Sequence, residues 1–190
     1  INDVQLGGKR VLVRVDYNVP MEEKEGQMVV TDVTRIRETL PTLHHFIQEG
    51  ARLILVAHLG RPKGKREPSM SLAPVATQLA ALLERPVQFV DDCIGEEVRQ
   101  TALSLQDGEV LLLENVRYYA EEGANDPVFA GKLAAIADAF VNDAFGSAHR
   151  AHASTEGVAR LVAQRGGPCV AGLLMERELR FLGDELENPA

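Results

Sequence analysis

The chain has 190 residues, of which 45% are hydrophobic and 25% are charged, so it can bury the core of an ordinary globular protein of one or two domains. Twenty lysines and arginines against 28 aspartates and glutamates give a formal net charge of −8, which argues against a nucleic-acid partner because such binding needs a basic surface. The longest apolar stretches, at residues 53–57 and 110–113, are far shorter than the roughly 20 residues of a membrane helix, so no membrane partner is expected either.

Short apolar runs alternate with longer amphipathic segments along the chain. Strands are predicted at residues 11–15, 53–57, 87–90, 110–113 and 139–142, with a weaker one at 169–171. Helices are predicted at residues 34–49, 72–83, 96–105, 127–136 and 156–164, followed by a closing amphipathic helix at 173–186. The strands are continuously apolar, as in parallel strands covered on both faces. The pattern predicts a doubly wound, Rossmann-like α/β fold, a three-layer sandwich with a parallel sheet of about six strands.

Local residues mark where several elements begin and end. Gly50 is expected to end the first helix, and Pro41 inside that helix predicts a kink or a late start. Ser71 and Pro74 place a capping residue and an early proline at the start of the second helix. The acidic run at residues 22–25 is predicted to be a solvated loop.

The two cysteines give an expectation about the compartment. Cys93 and Cys169 form no Cys-x-x-Cys motif and have no ligand set around them. We therefore expect two buried, reduced thiols, which fit a cytoplasmic protein.

Polar and basic side chains follow four of the predicted strands. In an open α/β sheet, ligands bind beyond the carboxyl ends of the strands. The groups expected at that edge are Arg14, Asp16 and Asn18, then His58 and Arg61, then Glu114, Asn115 and Arg117, and finally His149, Arg150 and His152. One loop arginine is usually a solvated surface residue, but this clustering predicts a pocket for a small anion. Asp16 and Asn18 can orient a ligand hydroxyl or hold an arginine in place.

Other motifs in the sequence do not predict a nucleotide or metal site. Residues 60–66 resemble a phosphate loop but lack its spacing and the Ser or Thr after Gly-Lys, so they are not a nucleotide cradle. No Gly-x-Gly-x-x-Gly follows the first strand, which argues against a dehydrogenase-type dinucleotide fold. His149 and His152 are three residues apart, as metal ligands can be. Nothing with clear spacing completes a ligand set, so an anion pocket is favoured and no metal is expected in this chain.

Four segments of the chain together resemble the signature of the phosphoglycerate kinase family. They read VRVDYNVP at residues 13–20, AHLGRP at 57–62, LENVR at 113–117 and NDAFGSAHRAH at 142–152. Their order and approximate spacing also agree with the family, and the resemblance covers essentially the whole chain. Tyr17 and Ser147 stand where Phe and Thr are commoner, and both changes are mild.

The resemblance implies one half of a two-lobed glycolytic enzyme. The family transfers a phosphoryl group reversibly between 1,3-bisphosphoglycerate and ADP, giving 3-phosphoglycerate and ATP. Residues 1–172 then correspond to the N-terminal, substrate-binding lobe and residues 173–190 to the interdomain helix, with the C-terminal nucleotide-binding lobe absent. Mg-ATP or Mg-ADP is implied to bind mainly to that absent lobe, so we expect no cofactor on this fragment and no turnover by it alone. The implied protein is a cytoplasmic monomer whose partners are the triose substrate and its own second lobe.

The resemblance also implies roles for individual residues. The substrate contacts fall on Asp16, Asn18, Arg35, His58, Arg61, Arg117 and Arg150, with His149 and His152 in the same basic patch. Arg35 resembles the arginine that reaches the transferring phosphoryl group, and it is the implied catalytic residue. The strand ends alone do not point to Arg35, because it opens a helix. They also leave open a function of another class, a non-catalytic anion-binding or regulatory α/β domain on the same scaffold.

Overall fold

The computed structural model describes residues 1 and 4–187, with side chains as far as residue 183. The strands are β1 (Arg10–Val15), β2 (Met21–Lys24), β3 (Gln27–Val30), β4 (Arg52–Val56), β5 (Gln88–Val90), β6 (Val110–Leu113), β7 (Ala139–Asp143) and β8 (Cys169–Ala171). The helices are α1 (Thr34–Gln48), α2 (Ala73–Leu83), α3 (Glu96–Ser104), α4 (Ala120–Gly123), α5 (Pro127–Ala135), α6 (Phe145–Ala148), α7 (Val158–Gln164) and α8 (Leu173–Glu187). Short 3-10 turns lie at Pro68–Met70 and Val116–Tyr118, and a π-helical turn at Ala153–Gly157 leads into α7.

Six strands form one parallel sheet in the order β5-β6-β4-β1-β7-β8, which confirms the predicted fold class. In its register Leu12 lies between Ile54 and Phe140. The chain passes from β1 to β4 on one side and later returns to β7 on the other side of β1. The connections that leave β1 and β7 therefore run to opposite faces of the sheet. Such a switch point opens a crevice in which α/β proteins bind ligands.

The sheet separates two apolar cores, because successive side chains of a strand point to opposite faces. Val11, Val13 and Val15 of β1 pack with α1 and α2 on one face. Leu12 lies in the second core, with α3, α5 and α7. Arg14 follows Leu12 by two residues, so a charged side chain points toward the second face.

The acidic run at residues 22–25 was wrongly predicted to be a loop. It belongs to an antiparallel hairpin in which β2 pairs with β3. Glu25 and Gly26 form its turn with positive φ angles of 52° and 77°, as a type I′ turn requires. Most of β2 is exposed, as the charge of the run suggested.

The predicted element ends differ in their outcomes. Gly50 follows the end of α1 with a φ of 78°, as expected, but α1 begins at Thr34 and runs through Pro41, so a late start was wrong.

Cys93 is buried, whereas Cys169 is exposed, so the expectation of two buried thiols was wrong for the second.

The closing helix predicted from the sequence is α8. Residues 188–190 of the implied interdomain segment lie outside the described residues. Within the described part of the chain, no helix combines the length and the apolar character needed to cross a membrane.

Candidate functional site

A cavity of about 300 Å³ lies at the carboxyl edge of the sheet, beside the switch point. Its walls come from the loops after β1, β4, β6 and β7 and from the first turn of α1. The lining side chains are Asp16, Asn18, Arg35, His58, Arg61, Arg117, Ser147 and Arg150, together with Gly60 and Gly146. The seven residues named from the sequence as substrate contacts therefore meet on a single cavity.

The two other histidines of the predicted basic patch are not among the lining residues. His149 is exposed, and its Nε2 lies 3.3 Å from Nε of Arg150. His152 is half-buried, and its Nδ1 lies 3.8 Å from Oε1 of the buried Glu122. These histidines lie next to the site and do not form its wall.

Asp16 and Asn18 hold neighbouring parts of the site in place. Arg35 Nη1 donates to Asp16 Oδ2 at 2.5 Å, and the backbone N–H of Asn18 donates to Asp16 Oδ1 at 3.2 Å. Asn18 Oδ1 accepts a hydrogen bond from the Gly60 N–H at 2.9 Å. Gly60 has a φ of 63°, and a β-carbon there would come within 2.8 Å of Met70 Sδ, so glycine suits this turn. The hydrogen bond between Asn18 and Gly60 therefore connects the loops after β1 and β4.

Arg117 is positioned by a buried amide. Its Nη1 donates to the Gly60 carbonyl at 3.0 Å, and its own backbone N–H donates to Asn115 Oδ1 at 3.1 Å. Asn115 is fully buried and donates to the carbonyls of Leu59 and Met70 at 2.8 and 2.9 Å. Asn115 therefore connects the loops after β4 and β6, and its role is structural.

The cavity concentrates positive charge on an acidic protein. Burial lowers the pKa of Arg117, and the charges of Arg150 and Arg61 lower it further. Its guanidinium stays protonated, because arginine does not deprotonate in proteins. Burial, reinforced by Arg14 and Arg117, lowers the pKa of His58 to about 2. The cavity thus presents charged guanidinium groups and a neutral imidazole.

These groups suit an anion. Guanidinium forks bind phosphate and carboxylate oxygens in pairs, with charge-assisted hydrogen bonds that contribute roughly 1.5–3 kcal/mol each. Among the described residues, no group of three or more His, Cys, Asp or Glu side chains is placed to hold a metal ion.

The family model described as phosphoglycerate kinase matches residues 1–190. The chain belongs to the phosphoglycerate kinase family. Curated phosphoglycerate kinases from Chlorobium phaeobacteroides (strain DSM 266) and Dictyoglomus turgidum are 56% and 55% identical to it over 189 residues. These matches cover 100% of this chain and 46% and 45% of the relatives. The chain thus spans about half the length of the curated relatives it matches.

Solved structures of the phosphoglycerate kinase family share the fold. The enzyme from Pyrococcus horikoshii OT3 matches with a TM-score of 0.86 at 32% identity, and that from Coxiella burnetii with 0.84 at 38%. Both matches cover 100% of this chain, and 46% and 45% of the respective structures. The similarity therefore extends over the whole sheet and its helices.

In this member of the phosphoglycerate kinase family, the strand-end pattern does not point to Arg35 and does not show that Arg14 is buried. Arg35 lies in the first turn of α1, where the helix dipole favours an acidic residue, and that unfavourable placement was the available signal. The sequence places Arg14 at a strand end, and the structure buries it fully within β1. A charge within an otherwise apolar strand signals a buried partner.

Proposed function

We propose that this chain is the 3-phosphoglycerate-binding half of a phosphoglycerate kinase. The observation that carries the proposal is the convergence of four arginines on one cavity of about 300 Å³, namely Arg35, Arg61, Arg117 and Arg150. A triose that carries a phosphate at one end and a carboxylate at the other is a small anion of the kind these groups bind. Membership of the family supports this choice among small anions.

The proposed chemistry needs positioned charge and no general base. In the direction that forms 1,3-bisphosphoglycerate, the nucleophile is a carboxylate, which is already ionised at pH 7. Catalysis of phosphoryl transfer is then positioning plus stabilisation of charge on the transferring oxygens. We assign Arg35 to that phosphoryl group and the remaining arginines to the bound triose.

The nucleotide belongs to the part of the relatives that this chain does not span. Mg²⁺, where bound with ATP or ADP, neutralises charge on the phosphate oxygens. The described residues offer no carboxylate cluster that suits it. We therefore assign Mg-nucleotide binding mainly to a second lobe.

Helix α8 presents a surface that suits such a lobe. Leu179, Phe181 and Leu182 are 52%, 62% and 43% exposed, the largest concentration of exposed apolar side chains on the described surface. On its other side α8 contacts α1, where the Leu173 N–H donates to Thr42 Oγ1 at 3.0 Å. Exposed apolar patches often mark an interface. We assign residues 1–172 to the substrate lobe and residues 173–190 to the connecting helix, with its apolar face covered by the second lobe.

Titration calorimetry with 3-phosphoglycerate tests the binding site. We expect heat and an affinity in the millimolar range or tighter, about −4 kcal/mol or better. The double variant Arg35→Ala, Arg61→Ala should lose this heat. Absence of heat with the unaltered chain, or equal binding by the double variant, contradicts the proposal.

A second experiment separates an enzyme from a non-catalytic anion-binding domain. The chain alone should show no turnover in a coupled assay, because the reaction requires closure of two lobes on both substrates. Mixing it with a separately expressed second half of a relative should restore turnover. Binding of 3-phosphoglycerate without restored turnover favours the non-catalytic alternative.

A further inference from the structure

Arg14 is a fully buried charge that lies behind the cavity wall. It is the largest side chain with no exposure in the described structure, and it is not among the residues that line the cavity. A buried guanidinium is tolerated only when its donors are satisfied. Arg14 donates from Nε to Ser154 Oγ at 2.9 Å, from Nη1 to the Val15 carbonyl, and from Nη2 to His58 Nδ1 at 2.8 Å. Arg14 therefore positions other side chains and does not contact a ligand directly.

The hydrogen bonds beyond Arg14 can run in one direction only. Ser154 Oγ accepts from Arg14, so its own proton is free to go to Glu122 Oε1 at 2.6 Å. The Ser154 backbone N–H donates to Glu122 Oε2 at 2.9 Å. Ser154 and Glu122 are both fully buried, and the Glu122 carboxylate offsets the guanidinium charge. These contacts connect β1, the π-helical turn, α4 and the loop after β4.

The same geometry fixes the proton on His58. A guanidinium has donors and no acceptor, so the 2.8 Å contact requires His58 Nδ1 to be unprotonated. The remaining proton of the neutral ring then lies on Nε2. Arg117 and Arg150 line the same cavity as His58, and their positive charges disfavour a second proton on its ring. His152 adds to this effect only when it is itself protonated, and burial lowers the pKa of His152. His58 lines the cavity, so its ring brings a donor there rather than a lone pair.

We infer that Arg14, Ser154 and Glu122 form a buried relay that holds His58 as its Nε2–H tautomer and so gives the anion cavity a neutral hydrogen-bond donor. The three are positioning residues, since they act through His58. The relay is independent of the proposed function, which enters only in naming the anion that receives the bond as 3-phosphoglycerate.

The tautomer is measured first on the ligand-free, unaltered chain. Nitrogen NMR of the imidazoles distinguishes the two neutral tautomers from the charged ring, and a His58→Gln variant assigns the His58 signals among the five histidines. We expect one neutral Nε2–H form across pH 5 to 8. A ring protonated on Nδ1, or one that titrates in this range, overturns the relay.

Two variants then test the members of the relay. Ser154→Ala removes the hydroxyl between Arg14 and Glu122, and Glu122→Gln keeps the shape but removes the charge. We expect mixed His58 tautomers and about tenfold weaker binding of 3-phosphoglycerate in both. Ser104→Ala is the control, because Ser104 is exposed and its hydroxyl donates to a single carbonyl, that of Thr101, at 2.9 Å. Folded relay variants with an unchanged tautomer contradict the inference, and if neither variant folds, the measurement on the unaltered chain decides.

The outcomes separate the relay from the proposed function. A chain that shows the Nε2–H tautomer but gives no heat with 3-phosphoglycerate keeps the relay and contradicts the proposed function. A chain that binds 3-phosphoglycerate with the opposite tautomer contradicts the relay and keeps the proposed function.

Discussion

Arg35 and Asp16 form an ion pair with 2.5 Å between Nη1 and Oδ2, and this pair joins the start of α1 to the loop after β1. The Arg35 side chain is 49% exposed and that of Asp16 is 18% exposed. Exposed pairs of this kind typically stabilise a fold by only about 0.2–1 kcal/mol. The pair therefore matters mainly for the direction in which the guanidinium points, since both residues line the cavity.

Arg35→Ala should weaken binding far more than it weakens the fold. Loss of one charge-assisted contact of about 1.5–3 kcal/mol raises the dissociation constant for 3-phosphoglycerate roughly 10- to 100-fold. The free energy of unfolding should fall by less than about 1 kcal/mol. Calorimetry and urea unfolding of the same preparation measure the two effects.

Arg37→Ala is the matched control for that variant. Arg37 lies on the same helix and is exposed, but it does not line the cavity. The Arg37→Ala substitution removes the same charge two residues away from Arg35, so binding of 3-phosphoglycerate should change little. Equal losses in both variants would mean that net charge, and not the contact from Arg35, governs affinity.

Inorganic phosphate should stabilise the chain against heat through the clustered arginines. The charges of Arg61 and Arg150 repel that of Arg117, and a bound anion offsets this repulsion. Mass action gives about 2.7 kcal/mol of stabilisation at a phosphate concentration 100 times the dissociation constant. Calorimetric melting temperatures across a phosphate series measure it, and Arg117→Gln should reduce the shift.

Two controls accompany the phosphate series. Chloride at matched ionic strength should produce a much smaller shift, because it screens charge without occupying the guanidinium forks. Arg99→Gln should keep the full phosphate shift, since Arg99 pairs with Glu96 on α3, away from the cavity. Equal stabilisation by chloride and phosphate would indicate screening alone.

His58 should make the fold less stable in mild acid. Its pKa is about 2 in the folded chain against an ordinary value of 6.5, so below pH 6.5 the unfolded chain binds one proton more. The contribution of His58 is complete above pH 6.5 and is lost as the pH falls below it, at up to about 1.4 kcal/mol per pH unit. Urea unfolding of the unaltered chain and of His58→Gln between pH 5 and 8 isolates the contribution of His58 to the free energy of unfolding.

The difference in unfolding free energy between the unaltered chain and His58→Gln should rise from pH 5 to 6.5 and then level off. His44→Gln is the control, because His44 is exposed on α1, and its curve should run parallel to that of the unaltered chain. A parallel curve for His58→Gln as well would mean that His58 is not held neutral by the fold.

The sheet and much of the cavity could be predicted because both depend on local sequence. The apolar run at residues 11–15 indicates a covered parallel strand, and the topology of such sheets brings the residues after their strands to one edge. The hairpin escaped prediction because β2 carries charges and gains its pairing from β3. Its turn at Glu25 and Gly26 places a glutamate at a positive φ, a position that composition does not suggest.

The parts of the site that the sequence did not predict depend on distant contacts. Arg14 and Ser154 are 140 positions apart, so no spacing rule connects them. Glu122 lies in a short helix whose burial arises only when α4 packs against the π-helical turn. His149 and His152 flank Arg150, which lines the cavity, but the His149 side chain is exposed and the His152 ring lies against the buried Glu122, so neither forms part of the cavity wall.

Helix α8 should be sensitive to the residue that precedes it. Asp143 at the end of β7 accepts from the Met175 N–H at 3.1 Å, and a β-carbon on Gly172 would overlap the Asp143 carboxyl group. Gly172→Ala should therefore cost about 1–3 kcal/mol of unfolding free energy, as overpacking usually does. A β-carbon on Gly183 of the same helix meets no atom of the described residues within 4 Å, so Gly183→Ala should be neutral or stabilising by up to about 1 kcal/mol. Urea unfolding of both variants measures the pair, and equal effects would mean that Asp143 does not fix the start of α8 relative to the strand that leads into the cavity.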